Sequence, residues 1–296
     1  VTIFKPSYRK CVGKYVDTHT KTWQSFKLTN KILKKDDGSM VAQPLEMKMF
    51  NSDGVNIAWF DVGPQNGDVV MLIHGFASSA HVNWVYTGWV KTLTDAGYRV
   101  IAFDHRGHGK SDKPHDSAVY TPDHMATDAI NLLKSLNIEE AHFLGYSMGA
   151  RVCAFIAKSE PQYVKSLTFG GLGIGMVEGV GDWDVIADAL LAPSLDDVTD
   201  ERGRMFRAFA EQTKSDRFAL AACIKTSRVL VTEDEASQMS MPTLIVVGTK
   251  DDISGSPDEL AALMPNAVAV SVEGRDHMLA VGDKVFKKAV LEHISQ

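Results

Sequence analysis

The 296-residue chain predicts an α/β fold, a mostly parallel eight-stranded sheet flanked by helices and carrying a small helical cap. Three observations predict it. From about residue 45, short apolar runs alternate with segments of helical periodicity. Between Gly171 and Ser240 that alternation stops and the chain reads as glycine-rich, then helical. At the end of one apolar run stands Gly145-Tyr146-Ser147-Met148-Gly149, a serine between two glycines just ahead of a helical pattern.

The elements follow in order. Strands are expected near residues 45–50 and 55–62, forming an antiparallel edge, and at the fully apolar run Val69–Ile73. A helix over about 83–96 leads to the strand Arg99–Phe103. Residues 122–137 read as a helix with Met125, Ala129, Leu132, Leu133 and Leu136 on one face. The strand ending at Tyr146 feeds a helix over 148–159, followed by the strand Val164–Phe169. Strands near 243–247 and 267–272 frame the last helices. The expected organisation is thus an extension over residues 1–40, a core over 41–170 and 241–296, and a cap over 171–240.

Composition sets limits. A hydrophobic content of 45% supports a large buried core, while a net charge of −6 argues against nucleic acid as the main partner. No apolar run approaches the roughly 18 residues needed to span a bilayer. Cys11, Cys153 and Cys223 are odd in number and scattered, which reads as reduced thiols in a cytoplasmic protein, with Cys153 packed. No pair has metal-ligand spacing, and no metal or organic cofactor is expected. The first forty residues hold nine Lys or Arg against three Asp or Glu, so this arm is basic and the remainder acidic. Trp23, Phe26, Leu28, Ile32 and Leu33 are expected to anchor it on the acidic body or to shield a pocket mouth, with attachment to an anionic surface the alternative. The chain begins at Val1, which leaves room for an upstream segment.

The chemistry concentrates at four places. Ser147 sits where a sharp strand-to-helix turn would expose its hydroxyl, with small residues Gly145, Gly149 and Ala150 where strand and helix crowd together. Met148 opens the following helix, so its backbone N–H faces outward with the positive end of the helix dipole. The loop His74-Gly75-Phe76-Ala77-Ser78-Ser79 follows an apolar strand, and the N–H of Phe76 is the second candidate donor to an oxyanion. His74 itself reads as structural. Further on, Asp251 and Asp252 follow the strand ending at Gly248, and Asp251 is preferred because it lies nearer the sheet edge where such folds bind ligands. Last, His277 follows a short strand and a glycine turn. Imidazole titrates near neutrality, so it can take a serine proton and return it to a leaving group, provided a carboxylate fixes its tautomer. His105, His108, His115, His124 and His142 read as structural or exposed.

With these residues in place, the chain from about residue 45 resembles the α/β-hydrolase family. His74-Gly75-Phe76 looks like its oxyanion loop, Asp104-His105-Arg106-Gly107-His108-Gly109-Lys110-Ser111-Asp112 like its turn after the fourth strand, and Gly145–Gly149 like its nucleophile elbow. The order Ser147, Asp251, His277 is that family's order, and its acid normally stands three residues after a glycine, which again selects Asp251 after Gly248. The resemblance implies a serine hydrolase, of carboxylesterase or monoacylglycerol lipase type. Ser147 replaces the aspartate nucleophile of haloalkane dehalogenases and epoxide hydrolases, and Met278 stands where carbon–carbon bond hydrolases usually carry tryptophan.

The expected activity is hydrolysis of short- to medium-chain carboxylic esters, small molecules, through an acyl-serine intermediate. A lactonase, a thioesterase or a carbon–carbon bond hydrolase on the same residues is the alternative, as is a ligand receptor on this fold with little turnover. In the cap, Leu172, Ile174, Met176, Val177, Trp183, Met205, Phe206 and Phe209 could wall an acyl pocket, with Met176 and Trp183 the chosen substrate-binding candidates. Arg202, Arg204, Arg207, Lys214 and Arg217 are expected to form a solvated face.

Overall fold

The computed structural model describes the backbone of four short strands near the start of the chain and the residues from 45 to 296. The chain divides into two compact units, Val1–Glu46 and Met47–Gln296. In the first, β1 (Gly13–Asp17) pairs antiparallel with β2 (Thr22–Phe26), and β3 (Ile32–Lys34) with β4 (Met40–Ala42). The expected anchoring of the basic arm through Trp23, Phe26, Leu28, Ile32 and Leu33, and the state of Cys11, lie outside the described residues.

The second unit is built on an eight-stranded sheet. Its strands are β5 (Lys48–Ser52), β6 (Val55–Val62), β7 (Val69–Ile73), β8 (Arg99–Phe103), β9 (Ala141–Tyr146), β10 (Val164–Gly170), β11 (Thr243–Gly248) and β12 (Ala267–Val272). They lie in the order β12-β11-β10-β9-β7-β8-β6-β5. Only β6 pairs antiparallel with both its neighbours; from β8 to β12 every pairing is parallel. The central strands are buried along nearly all their length, which explains why β7, β9 and β11 read as predominantly apolar runs and not as alternating ones.

Helices cover both faces, as parallel connections require. They are α1 (Trp89–Asp95), α2 (Pro122–Ser135), α3 (Met148–Ser159), α8 (Pro257–Leu263) and α9 (Lys284–Ile294), with α4 (Asp184–Leu191), α5 (Glu201–Gln212), α6 (Arg217–Thr226) and α7 (Glu233–Ser237) in the long connection between β10 and β11. Two helices differ from expectation for local reasons. The helix expected over 83–96 is a π-helical turn at His81–Val85 and then α1, divided at Gly88, whose φ of +82° no helix accepts. The helix expected to reach 137 stops at Ser135 because Asn137 turns left-handed at φ +54°. At its start, α2 has Pro122 in the first turn and Thr121 Oγ1 accepting from the His124 amide.

Topology fixes where a site can form. From β7 the chain moves to β8 on one side and later to β9 on the other, so the sheet reverses its winding between β7 and β9. At such a reversal the loops leaving the two carboxyl ends diverge and leave a crevice. Ile73 and Gly145 are register partners there, so the His74 loop and the Ser147 turn start side by side.

Candidate active site

Ser147 holds a backbone conformation that non-glycine residues rarely adopt, φ 53° and ψ −112°. A residue held there stores about 1–3 kcal/mol of strain, so the surroundings must impose it. They do so by close approach. A Cβ at Gly145 would overlap the Gly149 carbonyl, and one at Gly149 would overlap the Ile73 oxygen. On either side of the turn, the Ser147 amide donates to Gly170 O at 2.7 Å while its carbonyl accepts from the Ala150 and Arg151 amides at 3.0 and 3.2 Å. The side chain is left partly exposed at the end of a buried strand.

Three loops bring three side chains together. His277 Nε2 lies 3.0 Å from Ser147 Oγ, and His277 Nδ1 lies 2.8 Å from Asp251 Oδ2. Asp251, three residues beyond β11, is fully buried in its side chain, whereas Asp252 is exposed. Asp251 Oδ1 accepts from the Ile253 and Ser254 amides at 2.9 and 3.0 Å, and Oδ2 also accepts from Ser254 Oγ at 2.6 Å. Burial works against the carboxylate, but these donors and His277 outweigh it and hold Asp251 below its ordinary pKa. An ionised Asp251 must therefore accept from Nδ1, which leaves Nε2 of a neutral ring to accept from Ser147. The Tyr146 hydroxyl donates to His277 O at 2.6 Å and fixes the imidazole-bearing turn to the strand that carries Ser147.

The loop after β7 runs alongside. A Cβ built at Gly75 would lie 3.5 Å from Ser147 Cβ, and the Gly75 amide donates to Asn83 Oδ1 at 2.9 Å. Phe76 follows, buried against His108 and Phe206 with ring centroids 5.8 and 5.7 Å away. Met148 is the first residue of α3, where an amide has no intrahelical acceptor. Asp104 secures this loop by accepting from the Ala80 and Lys110 amides, both at 2.8 Å, and the buried Arg106–Asp128 fork, at 2.8 and 2.7 Å, secures the turn after β8. The motif from Asp104 to Asp112 is therefore a brace for the loop.

The other histidines stay out of this chain. His74 bonds Gly75 O through Nδ1 at 2.7 Å and accepts the His105 amide at Nε2 at 3.0 Å. Burial drives its pKa down to about 4, that of His108 to about 3, and that of His105 well below its usual value, so all three are neutral. Among the described residues no group of three or more His, Cys, Asp or Glu side chains is arranged to hold a metal ion, and Cys153 and Cys223 are buried thiols. Among the same residues no helix is long and apolar enough to cross a membrane.

The segment over 171–240 is more varied than expected. Met176 is fully buried, and its carbonyl accepts from Arg151 Nη1 at 2.9 Å and the Val231 amide at 3.2 Å. Trp183 is partly exposed and packs edge-on against Phe206 at 5.9 Å. Met205, by contrast, points to solvent. The charges expected to form a solvated face do not all do so. Arg207 is buried, donating to the carbonyls of Ala189, Leu190 and Ala192 and to Glu211, and Arg217 reaches the Leu190 and Ala192 carbonyls as well. These carbonyls end α4 and lack intrahelical partners, so cations close the helix terminus. Sequence reasoning also passed over Asn83, Ser254, Tyr146 and Arg151. Each acts on a residue distant in sequence or through a loop turn, and no spacing rule marks it.

Comparison with known proteins agrees with this architecture. The family described as alpha/beta hydrolase fold matches residues 68–199. The AB hydrolase superfamily protein YfhM of Bacillus subtilis is 32% identical over 126 residues, 42% of either chain, so the alignment spans under half of that relative. The non-heme chloroperoxidase of Streptomyces lividans is 29% identical over 82% of this chain and 97% of its own. Among solved structures, a hydrolase from Pseudomonas aeruginosa superposes with a TM-score of 0.66 at 26% identity, covering 84% of this chain and 98% of that one. Sheet order, the strained serine turn and these likenesses together give the chain the α/β-hydrolase fold.

Proposed function

We propose that the protein is a serine hydrolase that cleaves carboxylic esters of short to medium acyl chain through an acyl-serine intermediate. Ser147 Oγ attacks the ester carbonyl while its proton passes to His277 Nε2, and Asp251 stabilises the resulting imidazolium. The amides of Phe76 and Met148 receive the developing oxyanion. Collapse expels the alcohol, protonated by His277, and water repeats the sequence to release the acid. The observation that carries this reading is the unbroken hydrogen-bonded path from Asp251 to His277 to Ser147, at 2.8 and 3.0 Å, ending on a serine in a strained turn.

Helices α4–α7 are read as a cap over that serine, with Met176 and Trp183 in the substrate-facing wall. Support comes from the run of rings Trp183, Phe206, Phe76, which links the connection between β10 and β11 to the proposed oxyanion loop at 5.9 and 5.7 Å. An apolar wall of this kind favours a modest acyl chain. Hydrolysis of a p-nitrophenyl ester series by wild type and Ser147→Ala tests the reading. A loss of about 10⁶-fold in the variant is expected, and a variant of undiminished activity refutes the assignment.

A further inference from the structure

Arg228, half-buried, stands apart from the other cations of this chain. Its guanidinium carbon lies 3.0 Å from the centroid of the Trp183 ring, and its Nε is out of reach of solvent with no hydrogen-bond partner among the described residues. No carboxylate forms an ion pair with it among those residues, although it follows α6 closely enough to close that helix end as Arg207 and Arg217 close α4. Its surroundings are cationic. Burial and the nearby Arg151 both push its pKa well below the ordinary arginine value, and Arg202 also faces Trp183, at 5.6 Å. Arg151 is itself buried; its Nη atoms serve the carbonyls of Gly175, Met176 and Val229, and its Nε has no partner.

A half-buried guanidinium stacked on an indole, with its Nε shut off from solvent and other cations beside it, carries a charge that no group of the protein neutralises. A fold retains such a group where a ligand supplies the missing charge. The position connects to the chemistry by two routes. Trp183 leads through Phe206 to Phe76, and Cys223, whose thiol faces Arg228, touches Met148 with sulfur atoms 3.8 Å apart.

We propose that Arg228, stacked on Trp183 and backed by Arg151, binds a carboxylate carried by the substrate, so that the preferred esters are monoesters of dicarboxylic acids or similar acyl groups ending in an anion. The planar fork of a guanidinium matches a carboxylate in two parallel hydrogen bonds, which a flat stacking surface leaves free to form. This inference rests on the ester-hydrolase reading and narrows its substrate class.

The test compares kcat/KM for p-nitrophenyl butyrate with that for the p-nitrophenyl monoesters of succinate, glutarate and adipate, in wild type, Arg228→Gln and Arg228→Lys. Wild type should prefer at least one acid ester by about 10-fold or more. Arg228→Gln should lower that selectivity ratio by about 10- to 100-fold, chiefly through KM, and Arg228→Lys should restore part of it. A wild type that handles the neutral ester as well as all three acid esters overturns the proposal, as does a ratio unmoved in Arg228→Gln. If Arg228→Gln fails to fold, the wild-type ratio and Arg228→Lys decide. In parallel, the thermal stability of Ser147→Ala is measured with added glutarate, with and without Arg228→Gln. A rise that requires Arg228, without turnover of any ester, would retain the anion site and reject the ester reading. Ester turnover without charge preference would do the reverse.

Discussion

The two sides of the candidate site are polar in opposite ways. At the sheet edge, Asp251 has every oxygen engaged, by His277, Ser254 and the Ile253 amide, and the ring it faces is engaged at both nitrogens. Away from it, Arg228 in the connection between β10 and β11 and Arg151 on α3 each keep a buried Nε without a partner. The first arrangement is closed, and reads as machinery already assembled. The second is open, and reads as machinery waiting for charge. A buried polar group that is satisfied specifies structure, whereas one left unsatisfied asks what completes it.

Three substitutions sharpen this contrast, taken from the strongest effect down. Asp251→Asn keeps the shape of the closed side but presents a donor where Nδ1–H needs an acceptor, so kcat on a neutral ester should fall by about 10⁴-fold, measured by initial rates. A loss under tenfold would mean that tautomer control is not what Asp251 supplies. Arg207→Met removes one of the two cations that close α4 and strands the Ala189 carbonyl, while Arg217 still reaches that of Ala192. Urea unfolding should show a loss of about 3 kcal/mol, and an unchanged midpoint would return Arg207 to the solvated face that its sequence suggested. The smallest effect concerns His142, which bonds Ser166 Oγ at 2.7 Å and is held neutral by burial, its pKa lowered to about 4. Unfolding lets it bind a proton below about pH 6.5, so its contribution is complete above that pH and declines as pH falls towards about 4. Near pH 5 the stability of wild type should fall with acid more steeply than that of His142→Gln, by at most about 1.4 kcal/mol per pH unit. Parallel curves would contradict the shift.

The same contrast separates what was legible in the sequence from what was not. The sheet could be read because strands buried on both faces are predominantly apolar, as β7, β9 and β11 are, with His142 and Thr243 the polar exceptions. Ser147 and Asp251 could be singled out because each follows such a strand within a few residues, and His277 because it follows the edge strand β12, topology gathering these strand ends along one edge. The fine bounds of helices were harder. Gly88 interrupts a periodic pattern without changing its hydrophobicity, and only the left-handed turn at Asn137 ends α2. The segment over 171–240 resisted most. Charges there looked like an exposed face, yet Arg207 is buried because helix-end carbonyls need donors that spacing does not reveal. Arg228 gave no local signal, since its isolation is a property of the space around it.

Most directly, the account stands on Ser147 being an activated nucleophile. Reaction of the folded protein with a fluorophosphonate probe, mapped by mass spectrometry, should place the adduct on Ser147 in wild type and lose it in a folded His277→Ala variant. An unlabelled Ser147, or equal labelling with His277 removed, would contradict the account.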